Sequence, residues 1–384
     1  MTLQLGSITA IVVSNSIFAK QVLLKNHHVS STPYHLDAVR AHEHDSFSIG
    51  PLSASSPMWK ILRKIYSTQL LSENMLEAMQ SHRQLMLEKL ICSITECSLA
   101  DAFVDVGQLV YDASFNMMCS TLFSMDLGRD EKIKEIKDLM NCIIKEIGRT
   151  NIVDCYPFPK EIDPQRIRHH LTSYCVKLFK LFDEILEVRL KFKKDQVKGS
   201  RLYNDLMDVI LEVMEEQGDE IKREHIHHLL LDLLGAGMDT TSKTIEWAMA
   251  ELLQNPTVLR KLQEEINGVV ERGNKTILET NLIQLPYLQA IVTETLRLHP
   301  SAPLLLPRKL EQDICIEGFN LPKGAMLIVN AWAIGRDPLT WANPDLFSPE
   351  RFFGSDLDVK SQVIKLFTFG GGKKICPGMP LALK

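Results

Sequence analysis

TFGGGKKICPGMP, residues Thr368 to Pro380, sets three glycines and two lysines in front of a single cysteine, close to the end of the chain at Lys384. Two chemistries compete for it. Gly370-Gly371-Gly372-Lys373 has the look of a phosphate-cradling loop, whereas Cys376 in a glycine- and proline-rich turn has the look of a metal or cofactor ligand. The phosphate reading fails on spacing: G-x-x-x-x-G-K is absent and neither Ser nor Thr follows the lysine pair. The cysteine reading depends on what the rest of the chain supplies.

The 384 residues are 45% hydrophobic and 24% charged, the composition of an ordinary globular protein with a large core. A net charge of -5 and a pI near 6.2 argue against nucleic acid as a partner, since such proteins carry a basic footprint. The densest basic run, Arg189–Arg201, reads as a helix end entering a solvated loop. Eight cysteines form no C-x-x-C pair and mostly sit in apolar, helix-like stretches, so no disulfide framework is expected. No stretch approaches the ~20 apolar residues that cross a bilayer.

Helical periodicity fills the chain from about Pro57 to His299. β-like stretches lie outside it, at Ser7–Val13, Leu304–Leu306, Ile314–Ile316 and Met326–Val329, with turn chemistry at Glu317-Gly318 and Pro322-Lys323-Gly324. The expected fold is mainly α with a small β subdomain (α+β), its sheet assembled from sequence-distant pieces.

A helix is expected from Arg223 to Leu253, closed by Asn255-Pro256 and roughly 45 Å long. Its centre holds Gly235-Ala236-Gly237 and then Asp239-Thr240-Thr241. Two glycines there cost about 2 kcal/mol relative to alanines. Either another element packs closely at this point, or the helix opens so that a small ligand meets backbone beside an acid and an alcohol. Both readings stay open.

A second helix, Pro286–Pro300, puts Glu294 and Arg297 three apart on one surface, an arrangement that usually makes a weak exposed ion pair. Arg351 follows in the proline-broken, aromatic stretch Asn343–Phe353. Trp59 and Arg63, four apart on one helical face, either line the core and its rim or jointly grip an anion. His225, His227 and His228 lack the carboxylate motif of a zinc site, and His42-Glu43-His44 reads as a loop.

In order the chain carries Trp59-x-x-x-Arg63, Ala236-Gly237-x-Asp239-Thr240-Thr241, Glu294-x-x-Arg297, Pro349-Glu350-Arg351-Phe352 and Phe369-Gly370-x-Gly372-x-x-x-Cys376-x-Gly378. This set resembles the haem-thiolate monooxygenases, the cytochromes P-450. Stretches such as LPYLQAIVTETLRLHP and CPGMPLA are similar to plant enzymes of the geraniol 8-hydroxylase and ferruginol synthase kind.

The resemblance implies one catalytic domain over residues 1–384 and hydroxylation of a small lipophilic metabolite, a terpenoid above all, with O2. It implies haem b, and electrons from NADPH through a cytochrome reductase at the cytosolic face of the endoplasmic reticulum membrane. Cys376 would be the axial ligand of the haem iron. Trp59, Arg63, Arg308 and Lys374 would hold the propionates, with Ala236, Phe369, Gly370 and Gly378 close to the porphyrin. Asp239 and Thr240 would relay protons. Leu234, Met238, Ser301, Ala302, Leu304 and Leu305 would face the substrate. Glu294, Arg297 and Arg351 would form one buried ion network.

Three departures accompany the resemblance. Lys374 stands where the family usually has arginine, keeping the charge but losing the planar fork. The family's N-terminal anchor and its final helix and hairpin have no counterpart here. The alternative expectation is therefore a truncated, non-catalytic paralogue that binds haem poorly.

Overall fold

The computed structural model describes residues 1–125, 130–156, 162–194, 205–269, 278–354 and 359–384. Residues 195–201 of the basic run lie outside the described residues.

The sheet joins the two ends of the chain. β1 (Thr2–Leu5) and β2 (Ile8–Val13) form a hairpin, and β3 (Thr32–Pro33), β4 (Arg308–Lys309) and β7 (Met326–Val329) complete the order β1-β2-β7-β4-β3. The β-branched run of β2 pairs in parallel with β7, Ile11 opposite Leu327, and buries its last four residues. β4 pairs antiparallel with β7, which sets Arg308 opposite Leu327. A separate hairpin joins β5 (Ile314–Ile316) to β6 (Phe319–Leu321) through Glu317 and Gly318, at φ 49° and 82°. Positive φ at both centres is what a tight two-residue hairpin requires.

Leu304–Leu306 does not form the expected strand. Pro303 and Pro307 flank it, Leu305 has φ 49°, and the strand begins at Arg308. Prolines on both sides remove the donors a ladder would need.

Among the described residues nine longer helices fill the middle: α1 (Pro57–Ile65), α2 (Gln80–Leu99), α3 (Val106–Phe123), α4 (Glu131–Ile147), α5 (Ile167–Lys194), α6 (Leu206–Gln217), α7 (Arg223–Gln254), α8 (Pro256–Val269) and α9 (Pro286–Leu298). Proline opens α1 and α9 at the first turn, where its missing N–H costs nothing. α1 runs on as a π turn, Tyr66–Leu70.

α7 is unbroken α-helix through Gly235–Thr241, so the second of the two readings, a helix that opens, is not what forms. Close packing is. A Cβ on Gly237 would lie 2.7 Å from the Met118 sulfur of α3, and one on Gly235 would lie 3.3 Å from Met140 of α4. The main core sits among α1, α3, α4, α5, α6 and the first half of α7, with a second core under the sheet. A third joins the end of α7 to α8 and α9.

Candidate active site

Cys376 is half-buried at the end of the glycine loop. Its backbone N–H donates to the Phe369 carbonyl at 2.9 Å, closing the loop on itself. Gly370 and Gly372 take φ 75° and 69°, and a Cβ on Gly372 would fall 2.2 Å from the Leu23 carbonyl oxygen. Only glycine fits there. Burial pushes the Cys376 thiol up, while the N–H groups of Gly378 and Met379 and the Arg63 charge oppose it. Those N–H groups and that charge favour the thiolate, but burial outweighs them and leaves the thiol above its ordinary value.

Three cations converge on this loop. Arg63 donates to the Ile375 carbonyl at 2.7 Å, next to the cysteine. Arg308, buried on β4, donates to the Ser30 and Gly371 carbonyls at 3.2 Å each. Lys374 donates to the Ile49, Gly50 and Leu52 carbonyls at 2.7–2.9 Å, and its ammonium lies 5.3 Å from the centre of the buried Trp59 ring. Trp59 and Arg63 therefore meet the cysteine loop from one helical face. Burial and the neighbouring charges of Arg308 and Arg63 bring Lys374 down to about 7, and burial brings Arg308 down to about 10. The partners of all three cations are carbonyl oxygens. Among the described residues the cluster is positive and no carboxylate is hydrogen-bonded to it, Asp232 acting on Lys374 only through its charge.

The Ala236 and Thr240 positions are exposed on one face of α7. The Thr240 hydroxyl donates to the Ala236 carbonyl at 2.6 Å, and Thr244, four further on, meets Ser301 at 3.2 Å. That contact brings the exposed Ser301, Ala302 and Leu304 to the edge of the same face. Leu305 turns instead against the sheet core. Asp239 diverges from Thr240: it is half-buried, and its charge reaches the Tyr111 phenol of α3, which burial first and Asp239 second push up to about 12.

Leu234 and Met238 do not line the open face. Both are fully buried in the main helical core. Each lies two residues from Ala236 or Thr240, a rotation of about 200° at 3.6 residues per turn, so they point to the opposite side.

Sequence reasoning missed Asp232, four residues before Ala236 and hence on its face. Ser48 donates to it at 2.7 Å, and His44 lies 3.5 Å away. Burial pushes this carboxyl up, against the pull of His44, Ser48, the Ile49 N–H and Lys374. The i, i+4 spacing from Ala236 was the available signal. The histidines form no zinc site among the described residues. His227 pairs with Asp183 at 2.7 Å, His225 packs edge-on against Phe47, and the fully buried His228 meets His44 at 2.9 Å.

On α9, Arg297 and Glu294 are fully buried and bonded twice, at 2.7 Å each. Arg351 joins Glu294 at 3.3 Å, and the Ser348 N–H adds a bond at 2.8 Å. Arg297 also donates to the Gly335, Pro344 and Leu346 carbonyls. A Cβ on Gly335 would sit 2.1 Å from the Arg297 carbonyl oxygen. The short E-x-x-R pattern is thus a closed core network, not an exposed pair.

The family model for cytochrome P450 matches residues 1–384. The chain belongs to the cytochrome P-450 family. It is 42% identical to geraniol 8-hydroxylase of Catharanthus roseus and 37% identical to drimenol monooxygenase of Persicaria hydropiper, covering 100% of this chain and 77% and 76% of theirs. A zebrafish cytochrome P-450 structure with progesterone superposes with a TM-score of 0.81 at 24% identity, over 100% of this chain and 85% of that one. As a member of the family the chain is a monooxygenase, an oxidoreductase that incorporates one oxygen atom.

The family's cofactor is haem, and the residues present fit it. A ring bearing carboxylates would supply anions to Arg63, Arg308 and Lys374, and Cys376 would offer sulfur to its metal.

Proposed function

We propose that the protein is a haem-thiolate monooxygenase that hydroxylates a small lipophilic metabolite of the terpenoid class. One carbon–hydrogen bond becomes carbon–hydroxyl, the second oxygen atom of O2 leaves as water, and two electrons and two protons are consumed. Haem b is the cofactor, and NADPH supplies the electrons through a reductase at the cytosolic face of the endoplasmic reticulum membrane. The names of the relatives support the substrate class. The observation that carries the reading is the convergence of three carbonyl-bonded cations on the Cys376 loop.

When bound at Cys376, the haem supplies oxygen activation, the thiolate pushing electron density onto the iron. Arg63, Arg308, Lys374 and the Trp59 indole fix the carboxylate edge. Gly370 and Gly378 leave room for the ring's approach, and a Cβ on Gly378 would lie 3.7 Å from the sulfur. On the open face of α7, Thr240 passes a proton inward by releasing the Ala236 carbonyl, and its neighbour Asp239 takes part in the relay. Glu294, Arg297 and Arg351 keep the loop's support rigid and touch no reactant. Ala236, Ser301, Ala302 and Leu304 offer the apolar and small surfaces that a hydrocarbon substrate meets.

The test is the carbon-monoxide difference spectrum of the reduced, haem-loaded protein. A red-shifted thiolate Soret band is expected, absent in Cys376→Ala. Incubation with geraniol, drimenol, NADPH and a plant reductase should then yield a mono-hydroxylated product. A Soret band at the position of a neutral axial ligand overturns the assignment of Cys376.

A further inference from the structure

Tyr66 is the first residue after α1 and lies three beyond Arg63 and seven beyond Trp59. At i, i+4 and i+7 these three side chains share one face. Trp59 and Arg63 meet the cysteine loop from that face. Tyr66 is only 3% exposed, and among the described residues its hydroxyl has no hydrogen-bond partner. Burial holds the phenol well above its usual range, and the charges of Asp232 and Cys376 push the same way, so the group keeps its proton and stays a donor.

An unpartnered buried hydroxyl costs about 1–3 kcal/mol. Most buried polar groups find a partner, so an orphan donor beside a ligand site points to an acceptor that the ligand brings. The neighbouring cations already call for carboxylates, and a carboxylate can accept several hydrogen bonds.

We infer that Tyr66 is a further cofactor-binding residue, its hydroxyl donating to the haem carboxylate that Arg63 also holds. This rests on the haem reading above. Tyr66 then gains in the loaded protein the bond it lacks alone, so the protein discriminates between loaded and empty states at this side chain.

The test compares the wild type with Tyr66→Phe, each loaded with iron protoporphyrin IX or with its dimethyl ester, following transfer of haem to excess apomyoglobin. Tyr66→Phe should lose the free-acid haem about tenfold faster, the size of one hydrogen bond to a charged acceptor. With the dimethyl ester the two proteins should differ much less. Without haem, Tyr66→Phe should unfold in urea at the same midpoint as the wild type or a higher one, because an orphan hydroxyl has been removed. Equal rates of loss with the free acid overturn the inference, as does an equal penalty with the ester or a lower midpoint of the haem-free variant. Failure of the wild type to take up haem at all counts against the haem reading instead.

Discussion

Two arginine-rich clusters are built on opposite principles. In the first, Glu294 neutralises Arg297 through two bonds, and the remaining donors reach carbonyls of Gly335, Pro344 and Leu346. In the second, Arg63, Arg308 and Lys374 also reach carbonyls, yet no carboxylate is held among them as Glu294 is held. The first is complete within the chain. The second becomes complete only with an anion. Buried charge that is paired internally is architecture, whereas buried charge left in surplus marks a site.

The largest effect that tests this contrast is Arg297→Ala. Removing one member leaves Glu294 buried beside a single weaker partner, which costs roughly 3–5 kcal/mol. Denaturation in urea should show that loss equally with and without haem. A loss confined to the haem-loaded protein would break the distinction.

Arg308→Met should behave in the opposite way. The protein without haem should keep or gain stability, since a desolvated cation is replaced by an apolar chain of similar length. Haem should dissociate about 10–100-fold faster, the worth of a charge-assisted bond. Equal destabilisation of both forms would make Arg308 architectural.

The buried His228 extends the comparison to pH. Burial first, then the charges of His44, His42 and His227, bring His228 down to about 3. In the unfolded chain its pKa is near 6.5, so between about 6.5 and 3 the unfolded state binds more protons. Stability is therefore full above about 6.5 and falls as the pH drops through that window, by at most about 1.4 kcal/mol per pH unit for this group. Thermal unfolding between pH 4.5 and 7 should show the slope, reduced by one proton in His228→Phe. An unchanged slope would place the titrating group elsewhere.

The smallest effect is Lys374→Arg. A planar fork replaces a point charge at the same site, and haem retention should rise a few-fold, on the order of 0.5–1 kcal/mol. A fall would show that the three carbonyls of Ile49, Gly50 and Leu52 are matched to an ammonium.

Much of this was legible in the sequence because it depends on local rules. The glycine–cysteine loop, the Arg223–Gln254 helix and the strands at Ile8–Val13, Ile314–Ile316 and Met326–Val329 follow from residue type, spacing and period. The mainly helical body with a small sheet follows from where those patterns fall. Charge balance argued against nucleic acid as a partner, and the ordered motifs pointed to the family.

Tertiary structure decided what spacing alone left open. Period says that Leu234 and Met238 lie opposite Ala236 and Thr240, yet only packing tells which side is core and which is cavity. The two glycines of α7 were compatible with an opened helix until Met118 and Met140 filled the space beside them. Glu294 and Arg297 look like an exposed pair in sequence, and their complete burial comes from chain some 40 to 60 residues further on. Asp232, Ser48 and Tyr66 belong to no short motif, since their significance lies in which distant groups they meet or fail to meet. Local sequence fixes conformation over a few residues, where sterics and hydrogen bonding act directly. Burial and the pairing of charge are set by contacts tens to hundreds of residues apart, and those exist only once the chain has folded.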